Sequence, residues 1–177
     1  PSRGGDDCFV TRINADGSYG WTQTFGGSNA DYGEGVAVYR SSVYVTGRFQ
    51  SSNATLGSNL DAGPTISPAG GKDAFILALD AATGAPKTTF GSNGVQTFGG
   101  SQDDAGWGVV ATSSAVYVVG DFASPNAGIG GIGSIGQAGL SDAFVLALHP
   151  STGQALTSFS GDGVQTFGGS SYDYGYG

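Results

Sequence analysis

The stretch 73–79 is apolar on both faces. Phe75, Leu77 and Leu79 fall on one side of an extended strand, and Ala74, Ile76 and Ala78 fall on the other, because successive side chains of a strand point to opposite faces. A surface hairpin would alternate apolar with polar positions. This run predicts a strand in a sheet covered on both sides. The pattern returns as Asp142-Ala143-Phe144-Val145-Leu146-Ala147-Leu148 and, at the start of the chain, as Asp7-Cys8-Phe9-Val10-Thr11-Arg12-Ile13. Cys8 stands where Ala74 and Ala143 stand, so it reads as a small packed side chain.

The other apolar runs repeat as well. Val43-Tyr44-Val45-Thr46-Gly47 matches Val116-Tyr117-Val118-Val119-Gly120 at an offset of 73 residues. Gln-Thr-Phe-Gly-Gly begins at Gln23, Gln96 and Gln165, and each copy continues Ser-x-x-Asp-x-Gly-x-Gly. One unit contains four β-type runs, at 106–111, 115–122, 142–149 and 163–167 in the later copy. Turn residues separate them. Four short strands per repeated unit is the blade pattern of a β-propeller. The expected fold is therefore all-β, a segment of four-stranded antiparallel blades. Residues 1–27 supply the third and fourth strands of one blade, 28–100 and 101–169 are full blades, and 170–177 begin the next. That is about two and a half blades, and a propeller closes with four to eight. The expectation is one propeller of a longer chain, whose ends meet further blades.

Glycine takes 34 of the 177 positions, against a usual share of about 7%. A helical bundle is excluded by that content, since each glycine costs a helix about 1 kcal/mol relative to alanine. Gly33 and Gly35, Gly106 and Gly108, and Gly175 and Gly177 alternate along the first strand of each unit. Small residues there predict a close approach of neighbouring backbones. The position between them varies, as Glu34, Trp107 and Tyr176.

Phe-Gly-Gly-Ser-x-x-Asp-x-Gly-x-Gly, then Val-Tyr-Val-Thr-Gly, then Asp-Ala-Phe together resemble the SBBP type of β-propeller repeat. The resemblance covers nearly the whole chain. It implies a propeller in secreted or surface proteins, often of many repeats, and it brings no catalytic residues. The chain departs from a uniform repeat in one place. Asp7 to Phe25 spans 18 residues, whereas Asp73 to Phe98 and Asp142 to Phe167 span 25.

The net charge is −8, and the six basic residues form no stripe. Nucleic acid and anionic membrane are poor partners for such a surface. No apolar stretch approaches the roughly 20 residues that span a bilayer. One cysteine and one histidine cannot build a four-ligand zinc site. His149 occupies the place of Asp80, at a strand end before a turn, and reads as a turn residue. Gly128-Ile129-Gly130-Gly131-Ile132-Gly133 has dinucleotide-loop spacing, but more glycine-rich loop follows where a helix is required, so it reads as loop.

Two sets of aspartates recur at one register each. Asp31, Asp104 and Asp173 form one set, and Asp7, Asp73 and Asp142 form the other. A catalytic aspartate would occur once, so repetition points to capping of backbone amides. Calcium is the alternative, with Asp16, Asp103, Asp104 and Asp162 in oxygen-rich runs as candidate ligands. No other cofactor is implied. Asn53-Ala54-Thr55 is an N-glycosylation sequon. The loops at 50–72 and 123–141 differ between copies and are where a scaffold would carry binding.

The leading expectation is a non-enzymatic extracellular or cell-surface β-propeller repeat protein with a structural or adhesive role, with a subunit of a surface filament or appendage as one form of it. Its partners would be further blades, identical subunits, glycans or other extracellular proteins. The alternative is a lectin-like or protein-binding module using the two long loops. A propeller-scaffold enzyme with its site outside this piece is the remote third.

Overall fold

The computed structural model describes residues 4–57, 65–131 and 134–177. The described residues form strands and turns without helix. Three antiparallel sheets follow one another along the chain. The first joins β1 (Cys8–Ile13) and β2 (Tyr19–Gly26). The second is a meander of β3 (Asp31–Tyr39), β4 (Ser42–Phe49), β6 (Asp73–Asp80) and β7 (Val95–Gly99). The third repeats that meander with β8 (Asp104–Ala111), β9 (Val116–Phe122), β11 (Asp142–Leu148) and β12 (Val164–Phe167). The expected runs of the two full units lie in strands, and the first strand of each begins two residues early, at Asp31 and Asp104. The expected first strand carrying Gly175 and Gly177 is not formed, since residues 173–177 pair with no neighbouring strand among the described residues.

The third strand shows why the sheets stack. Every residue of β6 except Asp80 is buried. Phe75, Leu77 and Leu79 belong to one core, with Cys8, Trp21 and Phe25 of the first sheet. Ala74, Ile76 and Ala78 belong to a second core, with Val118, Phe122, Phe144 and Leu146 of the third sheet. The middle sheet is thus covered on both faces. Fully burying a side chain of this size contributes about 1.5–3 kcal/mol relative to leaving it exposed, so a strand apolar on both faces is stable only between two neighbours.

Each seam is closed by three phenylalanines. Phe25 of the first sheet lies 4.5 Å from Phe75 and 5.6 Å from Phe49, centroid to centroid. At the next seam Phe98 lies 4.5 Å from Phe144 and 6.1 Å from Phe122. Glycine is required beneath them. A Cβ on Gly47 would collide with the Tyr32 carbonyl oxygen and lie 2.9 Å from the Phe75 ring. Gly120 meets Ala105 and Phe144 in the same way. The glycines of the first strands sit at a close approach too, with a Cβ on Gly33 placed 2.6 Å from Cys8 Sγ.

Two further stitches cross the seams. The short strand β5 (Thr55–Leu56) leaves the second unit and pairs with β2 of the first sheet. β10 (Gly128–Ile129) likewise leaves the third unit to pair with β7. The turn after the third strand also reaches back. Trp21 Nε1 donates to the Ala81 carbonyl at 3.2 Å, and the Trp21 ring lies against Gly84. At the next seam the Tyr44 hydroxyl donates to the Pro150 carbonyl at 2.8 Å, and the buried Phe90 ring lies against Gly153. Phe90 belongs to the segment that lengthens the later copies. Trp21 fills the corresponding place in the shorter first copy.

The outer faces lack this cover. Phe9, at the register of Phe75, is 70% exposed, and Phe167, at the register of Phe98, is 55% exposed. Ala143 and Val145 are only half-buried, where Ala74 and Ile76 are fully buried. Phe75→Ala should therefore cost about 3–5 kcal/mol in chemical denaturation. Phe9→Ala, the same change at the same repeat position, should cost less than about 0.5 kcal/mol.

Candidate functional site

The recurrent aspartates lie at the seams. Asp31 opens β3 and is buried. Its Oδ1 accepts from the backbone N–H of Gln50 and Ser51 at 2.9 and 3.1 Å, and its Oδ2 accepts from the Gly27 N–H and the Ser51 hydroxyl at 2.9 and 2.5 Å. Asp104 repeats the arrangement. Its Oδ1 accepts from the backbone of Ala123 and Ser124, and its Oδ2 from the Gly100 N–H and the Ser124 hydroxyl. Asp173 Oδ2 accepts from the Gly169 N–H at 2.9 Å. The other set stands at the third strands. Asp73 Oδ2 accepts from the Ala69 N–H at 2.9 Å, and Asp142 Oδ2 from the Ala138 N–H at 2.7 Å.

The two sets meet around a glycine. A Cβ on Gly99 would lie 2.5 Å from Asp73 Oδ1 and 2.8 Å from Asp104 Oδ2. Gly26 sits between Asp7 and Asp31 in the same way, and Gly168 lies against Asp142. Asp73 and Asp104 are each only 1% exposed. Asp104 is satisfied by four donors, whereas Asp73 Oδ1 has no hydrogen-bond partner among the described residues. Burial, with the neighbouring charges of Asp104 and Asp103 added, pushes the Asp73 carboxyl up to about 7. Burial pushes Asp104 up to about 6, against the pull of its Ser124, Gly100 and Ala123 donors. A proton held on Asp73 suits this geometry, because Asp104 already accepts as an anion and two adjacent buried charges repel.

The calcium candidates are dispersed. Asp16 Oδ1 accepts from the Ser18 hydroxyl and N–H within one turn, which holds its carboxyl below the usual carboxylate range. Asp162 Oδ1 accepts from the Val164 N–H in another turn. Asp103 lies beside Lys72, 3.2 Å from its Nζ. Partial burial opposes the Asp103 charge, but the Lys72 N–H and ammonium outweigh it and hold the carboxyl low. No group of three or more His, Cys, Asp or Glu side chains suited to a metal occurs among the described residues.

The remaining candidates have local partners. His149 Nδ1 accepts from the Ser151 N–H at 3.2 Å, as Asp80 Oδ1 accepts from Ala82 and Thr83 in the matching turn. Asn53 is exposed, and its Oδ1 accepts from the Ser28 N–H at 2.9 Å. Asn126 does the same for Ser101 one unit later, outside any sequon. The loops at 50–72 and 123–141 begin with the strands β5 and β10, which tie them to the preceding sheet. Residues 58–64 of the first loop, and Ile132 and Gly133 of the glycine-rich run, lie outside the described residues. Gly128 and Ile129 of that run are strand residues and hold no helix start. Cys8 is buried, and its thiol is pushed up to about 12 by burial and by the charges of Asp31, Asp7 and Glu34.

One cluster escapes the repeat pattern. The varying residue between the paired glycines, Glu34 in β3 and Trp107 in β8, falls at a β-bulge in each first strand. A bulge turns its extra residue away from the ladder. Trp107 thereby faces Arg48, Asp121 and Tyr174 across a cleft of about 220 Å³. The sequence signal for it was the variability itself, at one position in a frame that otherwise repeats.

No family model matches the chain. A 114-residue stretch, 63% of the chain, is 33% identical to the regulatory protein FlaEY of Caulobacter vibrioides. The match spans 11% of that protein's length.

Two measurements probe these groups. The fold raises the Asp73 and Asp104 values above the ordinary carboxylate range, so it favours their protonated forms. Their stabilising contribution is full below about pH 4, declines as pH rises toward about 7, and is flat above. The denaturation midpoint should fall between about pH 4 and pH 7 and level off above, and Asp73→Asn should flatten that fall. The Cys8 thiol should resist alkylation in the native protein and react fully in denaturant. Cys8→Ala should cost less than about 1 kcal/mol, since Ala74 and Ala143 hold the same register.

Proposed function

We propose that this chain is part of a β-propeller scaffold of the SBBP type, with a structural or adhesive role outside the cell or at its surface. The observation that carries the reading is the middle sheet. It is sandwiched between its neighbours by seams whose three phenylalanines and underlying glycine recur at matching positions, while each outer sheet keeps half of the same seam bare. Phe167 offers the phenylalanine that Phe25 and Phe98 insert into a following sheet. Phe9 offers the surface that Phe75 and Phe144 present to a preceding one. The partners that fit these faces are further sheets of the same kind, from the same chain or from identical subunits.

The use made of the repeated polar residues supports a non-enzymatic role. The repeated aspartates hold strand starts and turns in unit after unit, and a reaction centre needs an arrangement that occurs once. The two long loops are less suited to binding than their length implies, because β5 and β10 fasten them to the neighbouring sheet. The sequon at Asn53 accords with a secreted chain.

In stacked repeats, stability is approximately a sum over units and their interfaces. Inserting a further copy of residues 101–169 between 169 and 170 should therefore raise the denaturation midpoint and bury the Phe167 ring. Chains with four to eight sheets should appear as closed rings in negative-stain microscopy. An unchanged midpoint with an extended, unringed particle would contradict the reading.

A further inference from the structure

The positions that break the repeat converge on one cleft. Trp107 takes the bulge of β8, and Arg48 and Asp121 occupy one shared register on β4 and β9. The Arg48 guanidinium lies 4.9 Å from the Trp107 ring centroid and 5.1 Å from that of Tyr32, with Glu34 Oε1 3.7 Å from its Nη2. Trp107 Nε1 donates to Asp121 Oδ1, and the Ser141 hydroxyl donates to Asp121 Oδ2 at 3.4 Å. Lys72 and Asp103 form the rim. Tyr174 and Tyr176 extend the aromatic row, Tyr176 lying 6.0 Å from Trp107, and they are 51% and 72% exposed.

We infer that the cleft between Trp107, Arg48, Asp121 and Tyr174 binds a neutral saccharide. Its volume, about 220 Å³, falls below the roughly 300–1,000 Å³ of sites for drug-sized ligands. It suits one sugar ring, with the rest of a glycan lying outside. Charges of both signs line it, Arg48 and Lys72 with Asp103, Asp104 and Asp121, and Glu34 lies beside Arg48. That gives no single-sign field to select phosphate, sulfate or nucleic acid. It does set fixed donors beside fixed acceptors, and each sugar hydroxyl both donates and accepts. Tyr174 and Tyr176 bring exposed ring surface beside the cleft, and the C–H side of a sugar ring requires such apolar surface. Burial pushes the Asp121 carboxyl up, while Trp107, Ser141 and Arg48 favour its charged, accepting form.

The inference goes beyond the scaffold reading and rests on side chains that this chain alone supplies, so a failed extension experiment would leave it standing. The test is a glycan array carrying neutral hexose- and N-acetylhexosamine-terminated glycans beside sialylated and sulfated ones, followed by calorimetric titration with the strongest neutral glycan. The expected result is saturable 1:1 binding, weakened at least about tenfold by Trp107→Glu or Asp121→Asn, the loss of roughly one stacking or hydrogen-bonding contact. Trp107→Glu sets a carboxylate beside Asp121, where Glu34 faces Arg48, so its thermal midpoint should fall. Asp121→Asn keeps the side chain's shape and its acceptor for Trp107, so its midpoint should match that of the parent chain and its loss of binding is the decisive readout. Binding confined to charged glycans, no glycan binding, or undiminished binding by both variants would overturn the inference.

Discussion

At each seam a phenylalanine from the last strand of one sheet is held against two phenylalanines of the next. Phe25 meets Phe49 and Phe75, and Phe98 meets Phe122 and Phe144. This contact sets the demands on the surrounding sequence. The rings need room beneath them, so Gly47 and Gly120 carry no side chain. They need an apolar bed on both faces of the third strand, which excludes polar residues from the interior of β6. They also need the sheets in fixed register, which the backward-reaching β5 and β10 and the turns at Gly84 and Gly153 provide.

Burying so much of each sheet leaves polar backbone at the strand starts that must find partners. Asp31 and Asp104 meet that need with four accepted hydrogen bonds each. The cost is a second aspartate close by in an environment that penalises charge. Asp73 and Asp104 share the space beside Gly99, and the pair sits most comfortably with one proton. Chemistry and packing are joined here, because the glycine that lets the chain pass is the one that lets the carboxylates meet.

Much of this was legible in the sequence. A strand apolar on both faces needs two neighbours, and the run at 73–79 says so without coordinates. The placement of Cys8 among the alanines correctly marked it as buried. The crossing elements were not legible. Thr55–Leu56 and Gly128–Ile129 are too short to show a period, and each pairs with a strand distant in sequence. Nor did the lengthened segment announce that Phe90 enters the core, because its counterpart in the shorter copy is Trp21, a different residue at a different position. The carboxylate pairing also escaped, since the two aspartate registers lie about thirty residues apart and only the seam brings them together. The bulge cleft was visible as variation at Glu34, Trp107 and Tyr176, but one-dimensional spacing does not bring Arg48 and Asp121 to it.

Residue-resolved native-state hydrogen exchange tests the central claim most directly, since local opening reports how well each element is covered. If the sheets stack serially, the amides of β4 and β6, covered on both faces, exchange slowest. Those of β9 and β11 follow, and those of β1, with Phe9 bare, exchange fastest. Protection of β1 equal to that of β6, or slowest exchange in the outer sheets, would contradict the account.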